Sequence, residues 1–161
     1  MTLLLATTNA GKIREIRILL DGLAIELLTL KDLPGTIDEP EETGATFAEN
    51  AELKARYYSD RSGLLTVAED SGLAIDALGG RPGVASARYP GASYPEKFAN
   101  LFAELAPHPK PWTARYVCSV VVVRPGTRDP APGTPRSSPV FCCEATVEGE
   151  ITEDRKSTRL N

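Results

Sequence analysis

Thr7-Thr8-Asn9-Ala10-Gly11-Lys12 gathers two hydroxyls, an amide, a glycine and a cation at a strand-to-helix turn. Such a turn aims backbone N–H groups and the positive end of a helix at one point, which suits a phosphate. Lys12 adds a full charge. The turn is not a Walker loop, because the earlier glycine is missing and Ile13 stands where a hydroxyl would hold magnesium. An ordinary connection carrying an exposed lysine is the plain alternative. Glu41-Glu42 is a second candidate. Neighbouring acids in a loop are often only solvated. Magnesium, however, takes one or two carboxylates, keeps waters and binds substrate phosphates with what remains.

Glu69-Asp70-Ser71-Gly72 closes an apolar run. Ligands of open α/β sheets bind outside the carboxyl ends of strands, so the location fits a site. Consecutive strand residues point to opposite faces. Glu69 and Asp70 therefore reach one site only where the strand breaks, and Ser71-Gly72 permits a break. One carboxylate then binds metal, and the same one or its neighbour orients a water. In Ser86-Ala87-Arg88-Tyr89, Arg88 is placed to clamp a phosphate and Tyr89 to stack on a base. A surface arginine beside a packing tyrosine is the alternative. His108, the sole histidine, lies among prolines and supports no histidine-dependent catalysis.

The elements that must position these residues follow from periodicity. Leu3–Thr7 reads as a central strand, and residues 11–20 as a helix through Ile13, Ile16, Leu19 and Leu20. Ile25–Leu30 is a second strand, and residues 38–44 an acidic loop. Thr46 and Glu49 form a capping box, followed by the stripe Phe47, Ala51, Ala55 and Tyr58. Asn50 and Lys54, four apart, share a neighbouring face of that helix. Leu64–Glu69 is a third strand, and Leu73–Leu78 continues extended. Tyr94, Phe98, Leu101, Phe102 and Leu105 mark a third helix stopped by Pro107. Arg115–Val123 is a β-branched strand, residues 125–139 with five prolines form a hairpin tip, and Val140–Val147 returns before a turn at Gly149. Alternating strands and helices early and a hairpin late predict an α/β fold with a mixed sheet.

A chain of 161 residues with 42% apolar and 25% charged residues suits one soluble globular domain. No apolar run is long enough to span a membrane. Residues 1–60 hold 6 Lys/Arg against 11 Asp/Glu, so a phosphate substrate must meet this half through a divalent cation or a few placed cations. The overall charge of −4 disfavours nucleic acid as a partner. Cys118, Cys142 and Cys143 lack metal spacing; Cys118 and one of the other two sit in apolar strand-like runs, which reads as buried free thiols of a reducing cytoplasm.

Taken in order, four strings resemble the inosine triphosphate pyrophosphatase family, hydrolases of noncanonical purine nucleoside triphosphates such as ITP, dITP and XTP. They are residues 6–15 (ATTNAGKIRE), 42–55 (ETGATFAENAELKA), 68–73 (AEDSGL) and 79–89 (GGRPGVASARY). The resemblance covers about residues 2 to 152. It implies an elongated mixed β-sheet flanked by helices, a homodimer, and Mg2+-dependent cleavage to a nucleoside monophosphate and pyrophosphate. By that likeness Thr7, Thr8, Asn9, Ala10, Gly11 and Lys12 grip the triphosphate, with support from Asn50, Lys54 and Arg88. Glu41 holds metal, with Glu69 a further candidate. Asp70 is both metal ligand and base, and Ser71 touches substrate. The family's later Phe-Gly-Tyr-Asp and Ser-His-Arg segments, tied to reading the base, do not occur in this sequence. The reading is therefore a single pyrophosphatase domain over residues 1–152, incomplete at its C-terminus, followed by a patternless, artefactual tail over 153–161. A Maf-type pyrophosphatase and a chain that binds nucleotide without turnover are the rival readings.

Overall fold

Leu3-Leu4-Leu5 is apolar on both faces, the pattern of a strand covered from two sides. In the computed structural model, which describes residues 1–35, 37–126 and 137–153, Thr2–Leu5 forms β1 and all three leucines are buried. β1 pairs in parallel with β2 (Glu26–Thr29) and with β3 (Thr66–Ile75). With β4 (Trp112–Pro125) and β5 (Ser137–Ile151) these make a mixed five-stranded sheet in the order β2-β1-β3-β4-β5. The chain divides into two compact units, Met1–Asp70 with Ser119–Glu144 and Ser71–Cys118 with Ala145–Asn161.

In the first unit the alternation of side chains builds two cores. Leu3, Leu5 and Val67 pack with Ile13, Ile16 and Leu20, which come from α1 (Ala10–Leu19) and its cap. Leu4, Ala6, Ala68, Val121 and Val123 pack with Ala51, Ala55 and Tyr58 of α2 (Phe47–Ser62). Each strand thus sends odd and even positions to different helices. The contacts of α2 on the sheet are mostly alanines, and Asn50 and Lys54 of the same helix reach Asp70 in the middle of β3. The capping box forms as expected: Thr46 accepts from the Glu49 N–H, and the Glu49 carboxylate accepts from the Thr46 N–H. The helix stops at Gly63, whose φ of 69° is left-handed.

The second unit has its own core of Ile75, Leu78, Leu101, Leu105, Trp112 and Ala114. Its helix α3 (Tyr94–Leu105) starts at Ser93, which accepts from the Glu96 N–H. Only Leu101 and Leu105 are fully buried, while Tyr94 and Phe98 are exposed. The expected apolar stripe therefore covers only the last turns of the helix.

Several sequence expectations change. Ser71-Gly72 does not break β3, which runs unbroken to Ile75. A Cβ on Gly72 would lie 2.5 Å from Ser86 Oγ and 2.8 Å from the Gly83 carbonyl oxygen. The glycine serves that close approach of the turn Gly83–Arg88 rather than a break. Ser86 Oγ then accepts from the Leu73 N–H at 2.9 Å. β5 passes straight through Gly149, because Glu148 is tied across to Arg115 and the glycine stays extended. Cys142 and Cys143 are exposed and Cys118 is half-buried. The expected burial fails because β5 is the outermost strand and is exposed along almost its whole length. Most of the proline-rich segment (127–136) and the tail from 154 lie outside the described residues. Among the described residues no helix is long and apolar enough to cross a membrane.

Thr46→Ala removes one half of the capping box and is expected to cost about 1 kcal/mol. A lower urea midpoint at unchanged slope reports it, and an unchanged midpoint contradicts it.

Candidate active site

On the α1 face, Asn9 is the N-cap, and its Oδ1 accepts from the N–H groups of Gly11 and Lys12 at 2.9 and 3.2 Å. The Asn9 N–H donates to Thr7 Oγ1 at 3.2 Å. Three N–H groups of the turn are thus held by the chain's own side chains, and the open backbone cradle expected from the sequence is corrected to that extent. A Cβ on Gly11 would sit 3.1 Å from Asn9 Oδ1, so the glycine leaves this cap its room. Thr8 Oγ1 donates to Glu39 at 3.0 Å, and Ala10 is exposed. Lys12 forms an ion pair with Glu69, which is 9% exposed.

On the α2 face, the Lys54 ammonium donates to Glu42 Oε1 at 2.9 Å and to Asp70 Oδ1 at 3.0 Å. Asn50 is fully buried. Its Nδ2 donates to Asp70 Oδ2 at 3.4 Å, and its Oδ1 accepts from the Gly44 N–H at 2.8 Å. A Cβ on Gly44 would lie 2.6 Å from that oxygen, so only glycine fits there. Burial is the largest single influence on Lys54 and disfavours its charge. The hydrogen bonds and charges of Glu42 and Asp70 together outweigh it and raise the Lys54 pKa above the ordinary lysine value.

The unbroken strand separates the two acids that the sequence analysis brought to one place. Glu69 shares the α1 face with Val67, and Asp70 shares the α2 face with Ala68. Glu42, rather than its exposed neighbour Glu41, is the loop acid in contact with Lys54. The oxygens of Glu42 and Asp70 lie within reach of one ammonium. Among the described residues no three His, Cys, Asp or Glu side chains gather as a complete metal cage. A cation held by one or two carboxylates and by substrate phosphates needs no such cage.

In the second unit, Ser71 Oγ lies 3.0 Å from Tyr116 OH, and Arg88 is exposed at the end of the turn Gly83–Arg88. Tyr89 donates to Glu104 Oε2 at 2.7 Å, and Arg81 pairs with the other oxygen of Glu104. Burial first, then that hydrogen bond, push the Tyr89 phenol up to about 12. Its hydroxyl is therefore committed to an internal network and its ring packs on the second core, so it is not the open stacking surface expected for a base. The bonds from Tyr89 and Arg81 hold the Glu104 carboxyl below the usual range. Sequence reasoning missed Glu39, Glu104 and Tyr116. The acidic loop holds Glu39, and a tyrosine among β-branched residues was the only hint of Tyr116.

The model of the Ham1 family matches residues 3–160. The chain belongs to the Ham1 family. It is 43% identical over 154 residues to the dITP/XTP pyrophosphatase of Geobacillus kaustophilus, covering 94% of this chain and 70% of that protein. The dITP/XTP pyrophosphatase of Shigella flexneri is 41% identical over 157 residues, or 96% of this chain and 74% of its own length. A solved Ham1 protein from Coxiella burnetii superimposes with a TM-score of 0.78 at 33% identity, covering 96% of this chain and 74% of that one. The Ham1 fold and the mixed sheet with flanking helices agree with the sequence expectation.

Lys12→Met strips the cation from a carboxylate that stays buried and is expected to cost about 1–3 kcal/mol. Glu69→Gln should cost less, because Lys12 is 30% exposed and turns to water. Chemical denaturation of both variants tests the order, and a larger loss for Glu69→Gln contradicts it.

Proposed function

We propose that the chain hydrolyses noncanonical purine nucleoside triphosphates (ITP, dITP, XTP) to the nucleoside monophosphate and pyrophosphate, with Mg2+ as cofactor. The chain is a nucleoside-triphosphate pyrophosphatase, a hydrolase acting on acid anhydrides. The observation that supports the site is the Asp70 carboxylate, held by Lys54 and Asn50 in the middle of a central strand, beside a loop acid. The activity comes from the Ham1 relatives named dITP/XTP pyrophosphatases.

In this reading Asp70 and the Glu41-Glu42 pair hold magnesium. The resemblance favours Glu41, and the contact through Lys54 favours Glu42. When bound, the ion neutralises phosphate charge and polarises the attacked phosphorus. Asp70 accepts the proton of the attacking water while the anhydride bond between the α- and β-phosphates breaks. Asn50 fixes one oxygen of Asp70 and so sets which lone pair faces the water. Lys12 and Thr8 supply the cation and hydroxyl for phosphate on the α1 face, with Asn9 holding the turn in shape. By the resemblance, Ser71 and Arg88 are further substrate contacts and the working form is a homodimer; the sparse cysteines are the ground for a cytoplasmic enzyme. Housecleaning of the nucleotide pool is the role that follows.

Product analysis with inosine triphosphate should give monophosphate and pyrophosphate as the first products. Orthophosphate and the diphosphate nucleoside as first products contradict the reading. Maf-type preference for other nucleotides would appear in the same substrate panel, and binding without turnover would appear in calorimetry. Asp70→Asn should lower turnover by roughly 10²–10⁴-fold with the circular dichroism spectrum retained. Wild-type turnover in that variant removes Asp70 from the mechanism. Glu41→Gln and Glu42→Gln separate the two loop acids. The ligand's variant raises the magnesium concentration needed for half-maximal rate, and unchanged titrations of both would exclude the loop from the site.

A further inference from the structure

We propose that Lys54 is a built-in rival of the divalent cation, holding the carboxylate oxygens that magnesium must take and giving them up as magnesium enters. The inference rests on the reading that magnesium binds at Asp70. Two of the three donors of the ammonium are committed, one to Glu42 Oε1 at 2.9 Å and one to Asp70 Oδ1 at 3.0 Å. The other Asp70 oxygen takes Asn50 Nδ2. A magnesium ion approaches its oxygens to about 2.0–2.1 Å and needs their lone pairs. A dication on these oxygens would stand against an ammonium already bonded to the same atoms, in surroundings where both partners are largely shielded: Lys54 is 15% and Asp70 13% exposed. Screening by water is weak there, so the two cations exclude one another.

Charge arithmetic gives the direction. Two carboxylates and one ammonium leave a net charge of −1, and adding magnesium without moving Lys54 turns it to +1. Lys54 hangs on a flexible four-carbon stem, so its head can move off the carboxylates without disturbing the helix. Once released, it is a cation beside the metal, where an arriving phosphate chain has use for it. Lys54 thus weakens the binding of magnesium alone and favours magnesium arriving with a polyphosphate. This assigns Lys54 a positioning role, acting on the site through Asp70 and Glu42, in addition to any contact with substrate.

The test is magnesium chloride titrated by calorimetry into the full chain stripped with chelator, with no nucleotide present. Lys54→Met should bind magnesium about threefold to tenfold more tightly than wild type, the range expected for releasing two partly shielded ion pairs. Lys54→Arg keeps the charge and should match wild type, and Asp70→Asn should lose the binding. If Lys54→Met folds poorly, Lys54→Gln replaces it, and the thermal upshift on adding magnesium, larger in the neutral variant, is the second readout. Equal or weaker binding in the neutral variants, with Asp70→Asn still impaired, overturns the rivalry and leaves the metal site standing. Binding in wild type no stronger than in Asp70→Asn overturns the metal site and the rivalry together.

Discussion

Two consecutive carboxylates at positions 69 and 70 of an unbroken strand must point to opposite faces of the sheet, and each then needs a cation of its own. Neither residue is open enough to rely on water alone. A partly buried charge left without a partner costs several kcal/mol, roughly, whereas a paired and hydrogen-bonded one is tolerated. The chain meets this with Lys12 from α1 for Glu69 and Lys54 from α2 for Asp70. The two helices are therefore fixed to β3 at its polar stretch as well as by their apolar stripes. The first unit owes its arrangement of candidate chemistry to that pairing.

The pairing also divides the labour. The α1 side carries the turn Thr7–Lys12, with hydroxyls, an amide cap and a helix start, all suited to anionic oxygen. The α2 side carries the Asp70 and Glu42 carboxylates and the groups that hold them. Gly44 and Gly72 are two of the points where backbone or side chain comes too close for any Cβ, one under Asn50 and one under Ser86. They let the polar contacts form without forcing the strand or helix out of register. Asn50 has a structural duty, satisfying the Gly44 N–H, and a site duty, reaching Asp70. Buried amides with two such duties tolerate little substitution, because loss of either bond leaves a buried polar group unpaired.

Much of this was legible in the sequence. The capping box at Thr46 and Glu49, the apolar stripe of α2, and the shared face of Asn50 and Lys54 follow from spacing, whereas their closeness to Asp70 in the middle of β3 does not. What misled was the residue pair Ser71-Gly72, whose composition suggests a break. Glycine there answers a steric demand from the distant turn Gly83–Arg88, and no local pattern reveals a neighbour contributed by a remote segment. The same holds for Tyr89, whose partner Glu104 lies fifteen residues on, and for the exposed cysteines of an edge strand whose apolar pattern resembles that of a covered one. Local periodicity specifies the elements. Which face is covered depends on what packs there.

We propose that strand alternation gives Asp70, and not Glu69, to the cation. The most direct measurement is the magnesium affinity of Glu69→Gln, read by calorimetry on a variant shown to be folded. The affinity should equal that of wild type, because Glu69 faces α1 and pairs with Lys12. A loss of magnesium binding as large as that caused by Asp70→Asn would contradict it, and would mean that both carboxylates serve one site after all.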